Sequence, residues 1–329
     1  MNEVLNKIWY SYHSIRWLLW PMALIYQWIT QTRRWYLESF GQHQFDVPII
    51  VVGNITVGGV GKTPLVIALA QALRARGLRV GIVSRGYGSS VKQWPYEVDF
   101  NDSAALVGDE PLLIAKKTKC PVVIAPRRVK AVQYLLEKHQ SQIIISDDGL
   151  QHYAMGRAVE IAVMDGVRGF GNGLCLPAGP LRENSSRLTQ VDFIIVHGDH
   201  AKPIQAAYRM DLLPGSLTQL VSGQEMSWSS LQHPVAAVAG IGHPERFFAT
   251  LRSLGAVFKP YSFADHYPFR RDDFLAIERT VVMTEKDAVK CVPFATETMY
   301  FLPVDAILSE RFWEALWSHK KLKYLFTTI

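Results

Sequence analysis

Short, mainly apolar runs alternate along this chain with stretches in which apolar residues recur at helical spacing. Apolar runs bounded by polar or Gly/Pro residues are typical of strands buried on both faces of a parallel sheet. Such runs occupy residues 49–52, 79–83, 121–125, 142–145, 160–164 and 192–196. Helical spacing is found over residues 65–73, 108–117 and 129–139. The pattern predicts an α/β fold with a mostly parallel sheet wrapped by helices.

A second, shorter series of the same kind follows. Strands are predicted over residues 234–239, 280–283 and 300–304, and helices over 245–254 and 286–290. Residues 208–228 are weakly patterned and are interpreted as an extended linker. The predicted organisation has three parts: an N-terminal helical segment over 1–45, a core domain over 46–205, and a linker with a smaller α/β lobe over 206–329.

The N-terminal segment differs from the rest of the chain in its tryptophan content. Five of the nine tryptophans lie in the first 36 residues, and residues 17–29 are nearly all apolar. A spanning helix needs about 20 predominantly apolar residues, so a full crossing of the membrane is not expected. Because Trp prefers the headgroup boundary and the flanking Arg16, Arg33 and Arg34 suit anionic lipid, we predict an interfacial helical segment in one leaflet. The alternative is a helix packed on the protein's own core.

The bulk composition describes a folded protein with an anionic partner. Hydrophobic residues make up 49% of the chain and charged residues 19%, and the net charge is +6. That charge suits nucleic acid, a membrane surface or a phosphorylated substrate alike. The three cysteines have no metal-binding spacing and no signal peptide is visible, so we predict a reducing, cytoplasmic compartment.

The first strand leads into a glycine-rich loop that closes with Lys62 and Thr63 and continues as a helix. This is the arrangement of a phosphate-binding P-loop, in which backbone N–H groups converge on an anion. We predict a P-loop NTPase-like core, with Lys62 on the terminal phosphates and the Thr63 hydroxyl on Mg²⁺. Thr56 replaces the usual first glycine, and an ordinary glycine-rich turn is the alternative. The predicted nucleotide-binding residues of the loop are Thr56, Val57, Gly58, Gly59, Val60, Gly61, Lys62 and Thr63.

Two acidic pairs lie where chemistry is expected. Asp147 and Asp148 end an apolar strand, the position of a Walker B carboxylate that holds Mg²⁺, although Asp also favours turns and helix caps. Asp109 and Glu110 open a predicted helix, where acids are common for electrostatic reasons alone. Phosphate transfer to a hydroxyl benefits from a carboxylate that accepts the proton, so Asp109 is a candidate base and Glu110 a candidate metal ligand.

Further candidates are a histidine and several arginines. His266 lies on a loop of the second lobe and could orient a carboxylate across a cleft, although a lone histidine is usually a polar surface or core residue. Four arginines follow strands or lie in the Gly/Pro-rich loop 176–183, and guanidinium groups bind phosphate bidentately. These are Arg85, Arg127, Arg128 and Arg182. Together they indicate an acidic, phosphorylated substrate.

These pieces together resemble the tetraacyldisaccharide 4′-kinase family, the lipid A 4′-kinases of Gram-negative bacteria. The matching segments lie in family order over nearly the whole chain, and Thr56 in the loop is the family's own pattern. They are residues 53–64, 84–87, 108–111, 147–152, 176–183, 265–267 and 284–287. Leu150 stands where many members carry an aromatic residue.

The resemblance implies transfer of the ATP γ-phosphate to the 4′-hydroxyl of a tetraacyldisaccharide 1-phosphate, which gives lipid IVA. It implies Asp109 as catalytic base paired with His266, and Arg182 and Glu183 near the nucleotide or substrate. Mg²⁺ would lie near Thr63, Glu110, Asp147 and Asp148. The substrate contacts expected from the motifs are Arg85, Tyr87, Arg127, Arg128, Gln151 and His152. The expected location is the cytoplasmic face of the inner membrane, with no nucleic acid and no obligate protein partner.

Two other classes of protein share parts of this pattern. Membrane-bound ATPase switches of the partitioning type also have a glycine-rich loop, but theirs carries a lysine where this chain has Val57. Guanine-nucleotide proteins and metallochaperones are a second class. This chain lacks the Asn-Lys-x-Asp motif of guanine-nucleotide proteins, which residues 284–287 resemble only weakly. It also lacks the Cys/His clusters of metallochaperones.

Overall fold

The computed structural model describes residues 3–11, 14–198, 206–231, 233–277 and 279–326. The α-helices are α1 (Glu3–Tyr10), α2 (Ile15–Phe40), α3 (Lys62–Ala75), α4 (Ala104–Val107), α5 (Asp109–Thr118), α6 (Arg128–His139), α7 (Pro244–Ser253), α8 (Glu285–Cys291) and α9 (Glu310–Trp317). The strands are β1 (Ile49–Gly53), β2 (Val80–Ser84), β3 (Tyr96–Glu97), β4 (Val122–Ile124), β5 (Ile143–Ser146), β6 (Val159–Asp165), β7 (Phe193–His197), β8 (Ala207–Pro214), β9 (Leu217–Gln219), β10 (Glu225–Met226), β11 (Val235–Ala239), β12 (Phe258–Ser262), β13 (Val281–Thr284), β14 (Met299–Leu302) and β15 (Val304–Leu308).

A large sheet of nine strands forms the first lobe within these ranges, in the order β15-β8-β7-β6-β1-β5-β2-β4-β3. The seven strands from β8 to β4 are parallel to their neighbours, whereas the edge strands β15 and β3 pair antiparallel. Parallel strands end at one edge of the sheet, so the loops after β1, β2, β5, β6 and β7 gather there.

The two faces of the large sheet bury separate apolar clusters. Successive side chains of a strand point to opposite faces, so Ile50 and Val52 of β1 pack against α3, whereas Ile49 and Val51 pack against α6. In α3 the buried Leu65, Leu69 and Leu73 recur every four residues on one face, which explains why this segment forms a helix against the sheet.

A second sheet of six strands forms the small lobe, in the order β10-β9-β14-β13-β11-β12. Its strands β14, β13, β11 and β12 are parallel. Helix α7 packs on one face of this sheet and α8 on the other. Thr284 caps α8 by accepting a hydrogen bond from the Asp287 N–H at 3.1 Å, which places the start of this helix at the carboxyl end of β13.

The N-terminal segment forms two helices with different surroundings. In α1 the side chains of Ile8 and Trp9 are buried, and the Trp9 indole donates a hydrogen bond to the Pro177 carbonyl at 3.0 Å. In α2 the single buried residue among those described is Ala23. None of the helices over the described ranges is both long enough and apolar enough to cross a membrane.

The predicted fold class is confirmed: a mostly parallel α/β sheet with a P-loop, a smaller α/β lobe and an N-terminal helical segment. The predicted boundary at residue 206 stays a prediction. Strand β8 pairs with β7, and β15 pairs with β8, so residues on both sides of the small sheet belong to the large one. The segment interpreted as an extended linker contains β9, β10 and most of β8.

Candidate active site at the junction of the two lobes

The glycine-rich loop joins β1 to α3 at the edge where the parallel strands end. Gly58 and Gly61 have φ values of 111° and 94°, which lie in the left-handed region that favours glycine. A Cβ added to Gly61 would lie 3.0 Å from His197 Nδ1 and 3.0 Å from Met210 Cε. Both the backbone conformation and the close neighbours therefore require glycine at residue 61.

The loop 176–183 packs directly against the glycine-rich loop. The Val57 N–H donates to the Pro180 carbonyl at 2.9 Å, and the Arg182 N–H donates to the Ile55 carbonyl at 2.7 Å. These two bonds hold Arg182 beside the site. The sequence motifs at 53–64 and 176–183, far apart in the chain, form one surface.

Lys62 begins α3 and contacts the acidic pair that follows β5. Its Nζ lies 3.2 Å from Asn54 Oδ1 and 3.4 Å from Asp148 Oδ1. Arg182 Nη1 donates to both Asp148 oxygens at 3.2 and 3.1 Å. Burial opposes ionisation of Asp148, but the charges of Lys62 and Arg182 outweigh it and hold the pKa of this carboxyl well below its usual range. Asp148 is therefore a carboxylate at neutral pH.

Asp147 has a different environment from its neighbour. Its side chain is only 1% exposed, and Ser84 Oγ donates to Oδ2 at 3.1 Å, while Oδ1 is buried with no hydrogen-bond partner in the part of the chain that is described. Burial, together with the charges of Glu110 and Asp148, raises its pKa to about 7. A buried carboxylate oxygen that has no hydrogen-bond partner can be satisfied by a bound cation or by a hydrogen-bond donor of a ligand.

The predicted base and its predicted partner are in contact across the two lobes. His266 Nδ1 lies 3.0 and 2.9 Å from the two carboxylate oxygens of Asp109. Burial opposes ionisation of Asp109, but the hydrogen bond from His266 and the Lys286 charge lower its pKa. The same hydrogen bond raises the pKa of His266. Asp109 is 6% exposed, and its ionised form is the one this environment favours.

Lys286 is a site residue whose role was not predicted from the sequence. Its Nζ lies 2.7 Å from Glu110 Oε1, 3.6 Å from Asp265 Oδ1 and 3.4 Å from His266 Nε2. An ammonium group can only donate, so Nε2 of His266 accepts and Nδ1 carries the proton that faces Asp109. The motif at residues 284–287 was visible in the sequence, but its contacts depend on how the lobes meet.

A basic cavity of about 890 Å³ opens between α2 and the ends of β2, β4 and β5. Its cationic lining residues are Arg33, Arg85, Arg127, Arg128, Lys130 and Arg182. Asp148 is the acidic residue of the lining within the described ranges. Arg128 is buried, and its Nε has no hydrogen-bond partner there. Five of the six predicted substrate residues line this cavity, whereas the exposed Tyr87 lies with its ring centroid 5.5 Å from that of His266.

Gln151 and His152 are held on the wall of this cavity by different interactions. Gln151 Nε2 donates to the Asn54 carbonyl at 3.1 Å and to Glu183 Oε1 at 2.7 Å. Burial and the charge of Arg128 lower the pKa of His152 to about 3, so its imidazole is neutral. Glu183 also accepts a hydrogen bond from Tyr153. Glu183 thus positions Gln151, and its predicted contact with nucleotide or substrate stays a prediction.

A glycine-containing turn of the small lobe lies over the glycine-rich loop between β1 and α3, which is called the phosphate-binding loop from here on. A Cβ added to Gly242 would lie 3.2 Å from the backbone nitrogen of Gly59 and 3.1 Å from Asp265 Oδ2. This turn was not predicted from the sequence. Its signal was a Gly-x-Gly pattern, residues 240–242, between an apolar strand and a helix, which is typical of a close backbone approach.

Fold and site together define a P-loop protein whose two α/β lobes meet at the phosphate-binding loop. Residues 15–321 match the model of the family described as Tetraacyldisaccharide-1-P 4′-kinase. The chain belongs to this family. The predictions of the family and of its kind of enzyme, a phosphotransferase, are confirmed at that level, and the alternative of an ATPase switch is not supported.

Individual relatives are similar over nearly the full length. The chain is 56% identical to the tetraacyldisaccharide 4′-kinase of Legionella pneumophila strain Lens over 323 residues, 98% of this chain and 99% of the relative. It is 46% identical to that of Aeromonas hydrophila over 310 residues, 93% of this chain and 92% of the relative. Among solved structures, LpxK from Aquifex aeolicus in complex with ATP matches with a TM-score of 0.76 and 26% identity, over 94% of this chain and 99% of that one.

Proposed function

We propose that the protein transfers the γ-phosphate of ATP to the 4′-hydroxyl of a tetraacyldisaccharide 1-phosphate. The main support is that two residues connect the phosphate-binding loop to the basic cavity. Asp148 contacts Lys62 of the loop and also Arg182, and both Asp148 and Arg182 line the cavity. A phosphorylated acceptor in the cavity would therefore lie next to the phosphates of a nucleotide on the loop. The name of the family and of the relatives supports the same acceptor.

The chain supplies a base, its orienting partner and positive charge. Asp109 accepts the proton of the attacking hydroxyl, and the Nδ1–H of His266 holds that carboxylate in place. Lys62 and Arg182 neutralise charge that spreads over the phosphate oxygens. The small lobe, resting on the loop at Gly242, excludes water that would compete as acceptor. Catalysis depends on position and charge, with no covalent intermediate on the chain.

The residues present fit a magnesium ion. Asp147 offers Oδ1, which is buried and has no hydrogen-bond partner among the described residues, and Thr63, Glu110 and Asp148 are the other candidate ligands. The described residues contain no group of three His, Cys, Asp or Glu side chains that could hold a metal ion. Mg²⁺ usually keeps several waters and is held by one or two carboxylates together with substrate phosphates, and carboxylates of this kind are what the candidate ligands offer. Bound there, Mg²⁺ would supply charge neutralisation at the β- and γ-phosphates.

Helix α2 brings the site to a membrane surface, which we place at the cytoplasmic face of the inner membrane. Its exposed side chains include Leu18 at 78% and Trp28 at 68% exposure, far from the pattern of a helix packed on its own core. Exposed apolar patches of this kind mark interaction surfaces. Arg33 and Leu37 of the same helix line the basic cavity. An acceptor whose acyl chains stay in the bilayer would present its sugar directly to the site.

The decisive experiment is transfer of label from γ-labelled ATP and Mg²⁺ to a tetraacyldisaccharide 1-phosphate in mixed micelles. Labelled lipid would establish reaction and acceptor together. Release of free phosphate without labelled lipid would reject the proposal in favour of an ATPase.

The basic cavity predicts a selective effect on the acceptor. We expect the double variant Arg85→Gln, Arg127→Gln to raise KM for the lipid about tenfold or more, because hydrogen bonds to charged groups contribute about 1.5–3 kcal/mol each. Both arginines are exposed in the cavity, so folding is expected to be unaffected. KM for ATP should not change. Arg79→Gln, an exposed arginine at the opposite end of β2, is the matched control. An equal rise in both KM values would argue against an acceptor site here.

The exposed face of α2 predicts membrane binding. We expect Trp17→Ser, Trp28→Ser to weaken binding to vesicles with anionic lipid at least about a hundredfold, since each buried large apolar side chain contributes about 1.5–3 kcal/mol. Vesicle flotation measures this directly. Point variants are preferable to deletion of the segment because Trp9 of α1 is part of the folded protein. Phe100→Ser, Leu275→Ser removes exposed apolar side chains elsewhere and should float as wild type. Unchanged flotation of the α2 variant would contradict interfacial binding.

A further inference from the structure

Arg246 of the small lobe reaches two buried residues of the large lobe on the far side of the phosphate-binding loop from Asp148. From helix α7, its Nη2 donates to Asp165 Oδ1 at 2.6 Å and its Nη1 lies 2.8 Å from His197 Nδ1. Asp165 ends β6 and is 2% exposed, and His197 ends β7 and is 9% exposed. One guanidinium thus joins the ends of two neighbouring parallel strands to the other lobe.

The imidazole in this cluster lies against the phosphate-binding loop. A Cβ added to Gly61 would lie only 3.0 Å from His197 Nδ1, so the imidazole packs against the last glycine of the loop. Burial and the Arg246 charge lower the pKa of His197 to about 4, so the ring is neutral and its Nδ1 accepts from the guanidinium. A displacement of Arg246 would therefore change what supports the loop at its last glycine.

A second contact between the same element and the loop lies one turn before Arg246. The turn that precedes α7 places Gly242 against the Gly59 backbone nitrogen, with no room for a Cβ that did not move its neighbours. The turn before α7 thus approaches the loop closely at Gly59, and Arg246 of α7 reaches it at Gly61 through His197. Asp165 Oδ1 further accepts from the N–H groups of Val167 and Arg168 at 2.9 and 3.0 Å, which fixes the carboxylate.

We infer that Arg246 is a positioning residue for nucleotide binding: through Asp165 and His197 it holds the phosphate-binding loop in register with the small lobe. The inference rests on the proposed function, since it assigns the support of that site's loop. Arg246 touches neither the acceptor cavity nor the Asp109–His266 pair in the described ranges. Its effect should therefore fall on ATP and not on the lipid.

A purely structural ion pair between lobes is the competing explanation, and the variants are chosen to separate the two. Arg246→Ala alone would leave Asp165 buried without its countercharge and could unfold the protein. Arg246→Lys keeps the charge but loses the fork that reaches two acceptors at once. The double variant Asp165→Asn, Arg246→Met removes both charges together and preserves approximate volume. Arg252→Met, an exposed arginine six residues along the same helix, is the matched control.

Equilibrium binding of ATP to the full chain, measured by calorimetry without acceptor, is the primary readout, with KM for ATP and for the lipid and the melting temperature alongside. We expect Arg246→Lys and the double variant to weaken ATP binding about tenfold, the scale of couplings within one hydrogen-bond network. KM for ATP should rise in parallel, KM for the lipid should stay constant, and Arg252→Met should behave as wild type.

Wild-type ATP affinity in the double variant, whatever its melting temperature, would overturn the inference and leave a structural ion pair. Weakened binding in Arg252→Met as well would overturn it too, because the effect would then belong to α7 in general. If the wild type binds ATP but labels no lipid, the proposed acceptor is wrong, and the ATP-binding comparison still decides the role of Arg246.

Discussion

Replacing Lys62 with methionine should reduce phosphate transfer by on the order of 10²–10³ or more, the loss typical when one group that stabilises transition-state charge is removed. Methionine keeps most of the length of the side chain and removes the ammonium that lies 3.4 Å from Asp148 and 3.2 Å from Asn54. No other cation begins α3 at the phosphate-binding loop, because residues 63–65 are Thr, Pro and Leu. Arg182 remains bound to Asp148 and cannot replace Lys62 at that position.

Initial rates with labelled ATP and lipid acceptor measure this loss, and a melting curve establishes that the variant is folded. Lys138→Met is the matched control, because Lys138 is exposed at the far end of α6, where it pairs with Glu97. Activity within a few-fold of wild type in Lys62→Met would remove the phosphate-binding loop from the mechanism altogether.

The parts of the site that could be predicted from the sequence are formed by residues that lie close together along the chain. Strand, glycines, Lys62 and helix follow one another directly, so their relative geometry is fixed by a few residues of backbone. Asp147 was predictable because an apolar run places it at the end of a strand, and all parallel strands end at the same edge. The Asp109–His266 contact is of another kind, since 157 residues separate the pair. Only the resemblance to a family implied that pairing.

The parts that were not predicted depend on contacts between distant segments. Strand β8 joins the large sheet just before the chain enters the small one, and β15 joins it just after the chain leaves. Both strands carry exposed residues that interrupt the apolar pattern. Helix α9 follows β15 and buries Phe312 and Leu316 in the core of the large lobe. Lys286 and Arg246 look like ordinary helical surface residues in the sequence. Their roles arise only where the two lobes meet.

Asp109→Asn should lower kcat by about 10²–10⁴, the range in which a general base contributes. The amide is nearly isosteric, and its oxygen can still accept from His266 Nδ1, so the fold and the contact between lobes should persist. What is lost is a carboxylate that the Lys286 charge and the His266 hydrogen bond keep ionised at neutral pH. ATP affinity should change little, because Asp109 faces the small lobe and its partners there are His266 and, at 3.9 Å, Lys290.

His266→Ala should cost less than Asp109→Asn, because the carboxylate keeps its own contact with the Glu110 N–H at 2.8 Å and the nearby ammonium groups. The comparison requires kcat and the ATP dissociation constant for each variant. Asp305→Asn is the control for a general loss of charge. Asp305 is exposed and forms an ion pair with Lys117, which lies on the same helix α5 as Asp109. Loss of ATP binding in Asp109→Asn would instead make this residue a metal ligand. A larger defect in His266→Ala than in Asp109→Asn would place proton transfer on the imidazole, with Asp109 as the group that orients it.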